Sequence, residues 1–282
     1  PSFLDTMGVM WISTHYTGVE KCVTQNSSFV FTQCKSSPEY IEDNDILAIL
    51  EDNSGRLWIS SQDDCVRIYD SNHNLLGYLT KSGDVVKSKS VLSHVTALYQ
   101  DRKGAIWVGS NTGVYRFVPR DNSFSARFYS MREDAPPFVS TAVMDILEDS
   151  QSRMWFATKE NGLMLLQNPN AADAKFIHRN NKLKNNYPPT VLLTRCLFED
   201  TNGNVWLGTN EGITVFSNDF TNPEDIKFFF YNSENTDLDN SCIYDIWQDK
   251  DGLMWFASFG GGLFKNRSSF FLGDTPDFIS YN

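Results

Sequence analysis

Asp52-Asn53-Ser54-Gly55-Arg56-Leu57-Trp58-Ile59-Ser60-Ser61 is one copy of six. The pattern Asp-x-x-Gly-x-apolar-Trp ends at Trp11, Trp58, Trp107, Trp155, Trp206 and Trp255, with spacings of 47, 49, 48, 51 and 49 residues. Six of the seven tryptophans stand at this one position, so the repeat and not any local motif sets the architecture. A fixed period of this length is the signature of a propeller or solenoid.

Working outward, each copy reads as a hairpin. Ahead of the Asp stand apolar runs such as Ile46–Leu50, Val95–Tyr99, Val143–Leu147, Leu193–Phe198 and Ile243–Trp247; behind the Gly stands a second run centred on Trp. Both are strand-length and rich in β-branched and aromatic residues. An Asp able to bond the backbone two residues on, followed by a Gly free to take positive φ, supplies a tight turn. The fourth copy carries Ser152 in place of Gly. A left-handed residue there costs about 1 kcal/mol, so this turn is expected to be the least regular.

Residues on both sides of each Trp are mostly apolar, so both faces of the strand are expected to be buried. Two residues past each Trp stands only Ser13, Ser60, Gly109, Ala157, Gly208 or Ala257, small enough for a neighbouring sheet to approach. A third strand follows a Gly-containing turn at 18–19, 113–117, 162–166, 212–216 and 262–264, with Cys65 replacing the Gly in the second copy. A more polar fourth strand is expected at 75–79, 126–129, 175–178, 226–231 and 278–281. Four antiparallel strands per repeat make a β-propeller blade. The fold class is all-β, a β-propeller with six visible blades in one domain spanning residues 1–282. Both ends read as cut from a longer protein, and closure by six blades or by a seventh outside the chain are both open.

The net charge of −11 and the lack of a basic cluster argue against a nucleic acid or an anionic membrane surface as partner. No apolar run reaches the length of a membrane span, so no direct membrane insertion is expected. Five cysteines form no C-x-x-C pair, and no metal or cofactor spacing is present. Cys196 and Cys242 are expected in the core; Cys22 and Cys34 fall where adjacent strands of the first blade could bring them face to face for a disulfide. Asp249-Lys250-Asp251-Gly252 imitates the start of a calcium loop, but the repeat makes it a turn and the downstream Glu is missing. Paired acids such as Glu51-Asp52, Glu148-Asp149 and Glu199-Asp200 recur in register, which marks turn chemistry rather than a glycosidase pair. No hydrolase motif surrounds any histidine, and no catalytic residue is assigned.

The segment Leu197-Phe198-Glu199-Asp200-Thr201-Asn202-Gly203-Asn204-Val205-Trp206-Leu207-Gly208-Thr209-Asn210-Glu211-Gly212-Ile213 resembles the two-component regulator propeller repeat, and residues 97–114 are nearly as close. The resemblance runs through all six copies; Ser13, Cys65 and Ser152 depart from it only in local turns. It implies the extracytoplasmic, periplasmic part of a hybrid two-component histidine kinase of Bacteroidota, with the kinase, a β-sandwich and a membrane helix lying elsewhere. It also implies sensing of oligosaccharides from polysaccharide breakdown, with the remaining sensor domains and a homodimer partner as protein contacts. The family motif hands over no binding residues.

Binding residues are therefore placed by strand order, on the turns after the Trp strands and on the long polar segments before each first strand. Tyr16 and Phe259 are positioned to stack on sugar faces, and Gln62, Asp63, Asn111, Lys159, Glu160, Asn210 and Glu211 to hydrogen-bond, with His15 beside them. Two other readings stand: a scaffold or dimerising module with ligand bound elsewhere, and a propeller glycosidase or lyase. Against the last, the Asp lies six residues before the aromatic rather than five as in sialidase turns. Only Arg195 among the arginines sits mid-strand on a first strand.

Overall fold

The computed structural model describes residues 46–62, 65–92, 94–131, 142–188, 191, 193–238, 242–269 and 272–281, together with the backbone of four strands within residues 2–31. The chain falls into two compact units, Pro1–Ser130 and Met131–Asn282.

In the first unit, β1 (Ser2–Leu4), β2 (Val9–Thr14), β3 (Gly18–Val23) and β4 (Phe29–Phe31) form one antiparallel sheet in chain order. The next blade is β5 (Ile46–Glu51), β6 (Leu57–Ser61), β7 (Val66–Tyr69), β8 (Leu75–Leu79) and β9 (Val85–Val86). The third is β10 (Val95–Gln100), β11 (Ile106–Ser110), β12 (Gly113–Pro119) and β13 (Phe124–Ser130). In the second unit the fourth blade is β14 (Val143–Glu148), β15 (Met154–Thr158) and β16 (Gly162–Leu166). The fifth is β17 (Thr194–Glu199), β18 (Asn204–Thr209), β19 (Ile213–Ser217) and β20 (Phe229–Tyr231). The sixth is β21 (Ile243–Gln248), β22 (Met254–Ser258), β23 (Gly262–Asn266) and β24 (Phe278–Tyr281). Neighbouring blades within a unit meet through their first strands, β5 on β10, β14 on β17 and β17 on β21. The all-β propeller expected from the repeat is the observed fold.

The Asp-x-x-Gly turn is the same object in five blades. The Gly N–H donates to the Asp carbonyl and the Asp N–H to the carbonyl four residues on, as in Gly55 to Asp52 (2.8 Å) and Asp52 to Arg56 (2.9 Å). Gly55, Gly104, Gly203 and Gly252 take φ between 72° and 84°. The Asp side chain then ties the turn to the strand behind it. One oxygen accepts two backbone N–H groups and the other accepts the indole N–H of the Trp.

Ser152 corrects one expectation. It takes φ 62°, donates to Asp149 O at 2.8 Å, and leaves the turn as regular as the others. The Asp149 carboxylate, holding Gln151 N, Arg153 N and Trp155 Nε1, outweighs the local cost.

In three blades the acid or amide ahead of the turn Asp joins the blade to the one before it. Gln100 Oε1 accepts Asn53 N (2.8 Å), Glu199 Oε1 accepts Ser150 N (2.9 Å) and Gln248 Oε1 accepts Thr201 N (2.9 Å). Each side chain thus caps an N–H that the preceding blade's turn leaves unpaired. Between blades the tryptophans pack onto phenylalanines: Trp58 on Phe124, Trp155 on Phe216 and Trp206 on Phe256, at 4.9 to 5.7 Å between ring centroids. All five residues of β6, β11 and β15 are buried, as the lack of alternation predicts. Gly208 is needed for close approach: a Cβ there would stand 2.4 Å from Cys196 Sγ and 3.0 Å from Ile243 Cγ2 of the sixth blade.

Three other expectations need correction. Residues 175–178 are not a strand but one bridge, Leu165 to Ile177. The Asn181 side chain takes the Phe176 carbonyl and the His178 N–H, consuming groups a ladder would use. The strand expected at 226–231 begins only at Phe229, because a 3-10 turn at Pro223–Asp225 and its exit precede it. Strand β9 was not anticipated; Thr80 N donates to Asp84 O, Gly83 N to Thr80 O, and Thr80 Oγ1 accepts Asp84 N, so a Thr does the work of the Asp.

Candidate functional site

In the second unit the first strands all carry a β-bulge at their start. The register slips between Val143 and Asp145, between Thr194 and Cys196, and between Ile243 and Asp245. The extra residues are Met144, Arg195 and Tyr244. A bulge re-aims the side chain it carries and commonly borders a site.

The turn after each Trp strand is tied back to the residue just before that bulged strand. Lys159 N donates to Ala142 O (2.8 Å), Asn210 N to Leu193 O (3.1 Å) and Phe259 N to Cys242 O (2.9 Å). Three residues expected at the loop face therefore occupy one equivalent position in successive blades. The bulge residue lies fifteen positions ahead of the turn residue each time: Met144 and Lys159, Arg195 and Asn210, Tyr244 and Phe259.

Two of these pairs join into one cluster. Arg195 Nε donates to Asn210 Oδ1 at 2.8 Å. Its guanidinium carbon stands 4.5 Å from the centroid of the Tyr244 ring. Tyr244 stacks on Phe259 with centroids 5.7 Å apart and planes 29° apart. The Cys242 thiol meets Asn210 Oδ1 at 3.5 Å. Phe259 is 70% exposed and Tyr244 is 45% exposed, so a wide aromatic face meets solvent beside a cation. Such a face suits the apolar side of a sugar ring, and Arg195 and Asn210 supply directional polar contacts.

The structure treats the expected residues unequally. Asn210 and Phe259 belong to the cluster. Glu211 is exposed next to Asn210, and Lys159 (exposed) and Glu160 (half-buried) stand at the equivalent turn of the fourth blade. In the first unit Gln62 is exposed after β6 and Asn111 is half-buried between β11 and β12. His15, Tyr16 and Asp63 lie outside the described residues, as does Cys34 of the suggested disulfide. Cys196 is buried as expected, but Cys242 is only half-buried, because it stands just ahead of β21 on the loop side. Tyr244 was missed: in the sequence it reads as one more apolar residue of a first strand, and only the fifteen-residue spacing to Phe259 marks it.

Behind the bulges lie Asp145, Cys196 and Asp245, each directly after an extra residue. Asp145 Oδ2 accepts Leu197 N of the next blade at 2.7 Å. Burial pushes the Asp145 carboxyl up to about 7, burial raises Asp245, and burial holds the Cys196 thiol well above its usual range. Among the described residues no group of three or more His, Cys, Asp or Glu is arranged to hold a metal ion. A separate hollow of about 280 Å³ lies between Lys182 and Pro223–Asp225, lined by polar groups and Pro223 without an aromatic face.

The bladed fold with its variable loop face defines this as a β-propeller built from an internal repeat. The model of the two component regulator propeller repeat matches residues 40–63, 91–112 and 189–211. Histidine kinase P4 of Formosa agariphila is 34% identical over 86 residues, which is 29% of this chain and 6% of that protein. The extracellular domain of the hybrid two component system BT3049 of B. thetaiotaomicron superposes with a TM-score of 0.69 at 24% identity, over 93% of this chain and 32% of that one. Virginiamycin B lyase of Staphylococcus aureus superposes with a TM-score of 0.68 at 11% identity, over 99% and 83%. At these identities the structural matches establish the fold. The chain spans about a third of the length of the two component system domain it matches.

Proposed function

We propose that this chain is a non-catalytic, extracytoplasmic ligand-sensing module of a hybrid two-component sensor, and that its ligand is an oligosaccharide held on the loop face. The observation that carries the reading is the exposed Tyr244–Phe259 stack with Arg195 and Asn210 at its edge. The family repeat and the two component system neighbour give the setting. Lys159 and Glu160 occupy the equivalent turn of the fourth blade and Glu211 follows Asn210; His15, Tyr16, Gln62, Asp63 and Asn111 are the corresponding loop residues of the first three blades. In this reading the module sits in the periplasm, and the rest of the sensor and a second copy receive the signal.

The lyase neighbour keeps an enzyme in view, since one fold hosts both. Against it, the carboxylates behind the aromatic cluster serve backbone N–H groups. A thermal-shift screen against oligosaccharides of plant, host and microbial origin, with each mixture assayed for cleavage, separates the readings. Ligand at about a hundred times Kd stabilises by about 2.7 kcal/mol, well within detection. A shift without cleavage is the expected result; cleavage turns the module into an enzyme, and no shift with any sugar leaves a scaffold.

A further inference from the structure

We propose that Arg195 is an anion anchor, and that the saccharide taken by the Tyr244–Phe259 face carries a carboxylate or sulfate beside its stacked ring. This rests on the sensing reading above and narrows it to a ligand class.

How Arg195 is held, with no carboxylate paired to it among the described residues, carries the inference. Arg56, Arg116, Arg153 and Arg267 each stand within 4 Å of a carboxylate, those of Asp52, Asp101, Asp149 and Asp277. Arg195 forms no ion pair among the described residues. It is nonetheless held in place: Nε is spent on Asn210 Oδ1, and the guanidinium lies over Tyr244. That arrangement leaves the outer edge with both Nη groups for a second, bidentate acceptor, the geometry that a carboxylate or sulfate matches. The fold does not ask for arginine here. The same bulge position is Leu47, Thr96, Met144 and Tyr244 in four other blades, and Thr194 and Cys196 on either side keep their normal partners Thr209 and Gly208. Lys159 adds a second cation without an ion pair among the described residues, on the loop face of the adjoining blade.

The whole-chain charge of −11 repels an anion at long range. Affinity for an acidic sugar therefore depends on local cations, Arg195 first among them.

The test is calorimetric titration of the chain with matched sets: oligogalacturonates and glycosaminoglycan disaccharides for carboxylate, sulfated galactan oligosaccharides for sulfate, and galacto- and xylo-oligosaccharides as neutral counterparts. Parent, Arg195→Gln and Phe259→Ala are compared, with circular dichroism checking the fold of each. Phe259 is mostly exposed, so its variant keeps the test usable if Arg195→Gln unfolds. The expected result is that an acidic set binds, that Arg195→Gln weakens it at least tenfold, and that Phe259→Ala weakens it as well. Which acidic set binds tells carboxylate from sulfate. Binding of neutral sugars alone, or acidic binding untouched by Arg195→Gln, overturns the anchor and leaves sugar sensing standing. Binding of no saccharide overturns the sensing reading and the anchor with it.

Discussion

Trp155 Nε1 donates to Asp149 Oδ2 at 2.7 Å across the turn between β14 and β15, and both side chains are fully buried. The same bond recurs at Trp58, Trp107, Trp206 and Trp255, at 2.8 to 2.9 Å. One carboxylate thus fixes a hairpin turn and the rotamer of the aromatic that packs the blade, which accounts for the strict six-residue spacing.

Replacing Asp149 with Ala strips partners from the Trp155 indole, from two backbone N–H groups and from the buried Arg153 guanidinium. Leaving a buried cation unpaired costs about 3–5 kcal/mol. Denaturant unfolding of the second unit should report a loss of that order. At Asp249, where the side chain is only half-buried, the same change should cost less, even though the Trp255 indole and the Leu253 N–H hold that carboxyl well below its usual range.

Ser152→Gly should be mildly stabilising. Relief of the left-handed backbone gains about 1 kcal/mol, and the added freedom of the unfolded chain takes back roughly half of it. A rise in the denaturation midpoint is expected; a fall means that the serine side chain does something its backbone geometry does not reveal.

Gly208→Ala should destabilise by about 1–3 kcal/mol, since the new methyl meets Cys196 Sγ and Ile243. Adding Cys196→Ala removes the nearest obstacle, so the double variant should be more stable than the sum of the two single losses. Strict additivity, measured by the same unfolding curves, contradicts that contact.

The Asp145 carboxyl, pushed up to about 7 by burial, sets a pH dependence. In the unfolded chain it ionises near about pH 4. Between these values the folded state keeps a proton that the unfolded state has released. Stability therefore falls as pH rises from about 4 to 7 and levels off above. Asp145→Asn keeps an acceptor for Leu197 N–H without titrating. Its Tm relative to the parent should climb across that window; a difference independent of pH contradicts the assignment.

The repeat made the fold legible because its signal is local: an Asp, a positive-φ position and a Trp at fixed spacing state a hairpin by themselves. Where another residue did the same work, the pattern was harder to see. Thr80 closes a turn of Asp-x-x-Gly shape ahead of β9, and His73 takes the Gly place at φ 64° after Asp70. The missing fourth strand of the fourth blade depends on Asn181, whose hold on Phe176 and His178 has no signature in composition. Of the candidate cluster, strand order places Asn210 and Phe259 on the loop face. It does not reach Tyr244 or the role of Arg195, because a β-bulge changes which way a strand residue faces without changing the apolar run that contains it.

The aromatic stack is the centre of the account, and the most direct measurement is the affinity of the best-binding oligosaccharide for a Tyr244→Ala/Phe259→Ala variant. Both side chains are exposed, so the variant should keep the parent's Tm without ligand. Affinity lower by tenfold or more at unchanged Tm is the predicted result. Parental affinity in that variant contradicts a sugar site on this face.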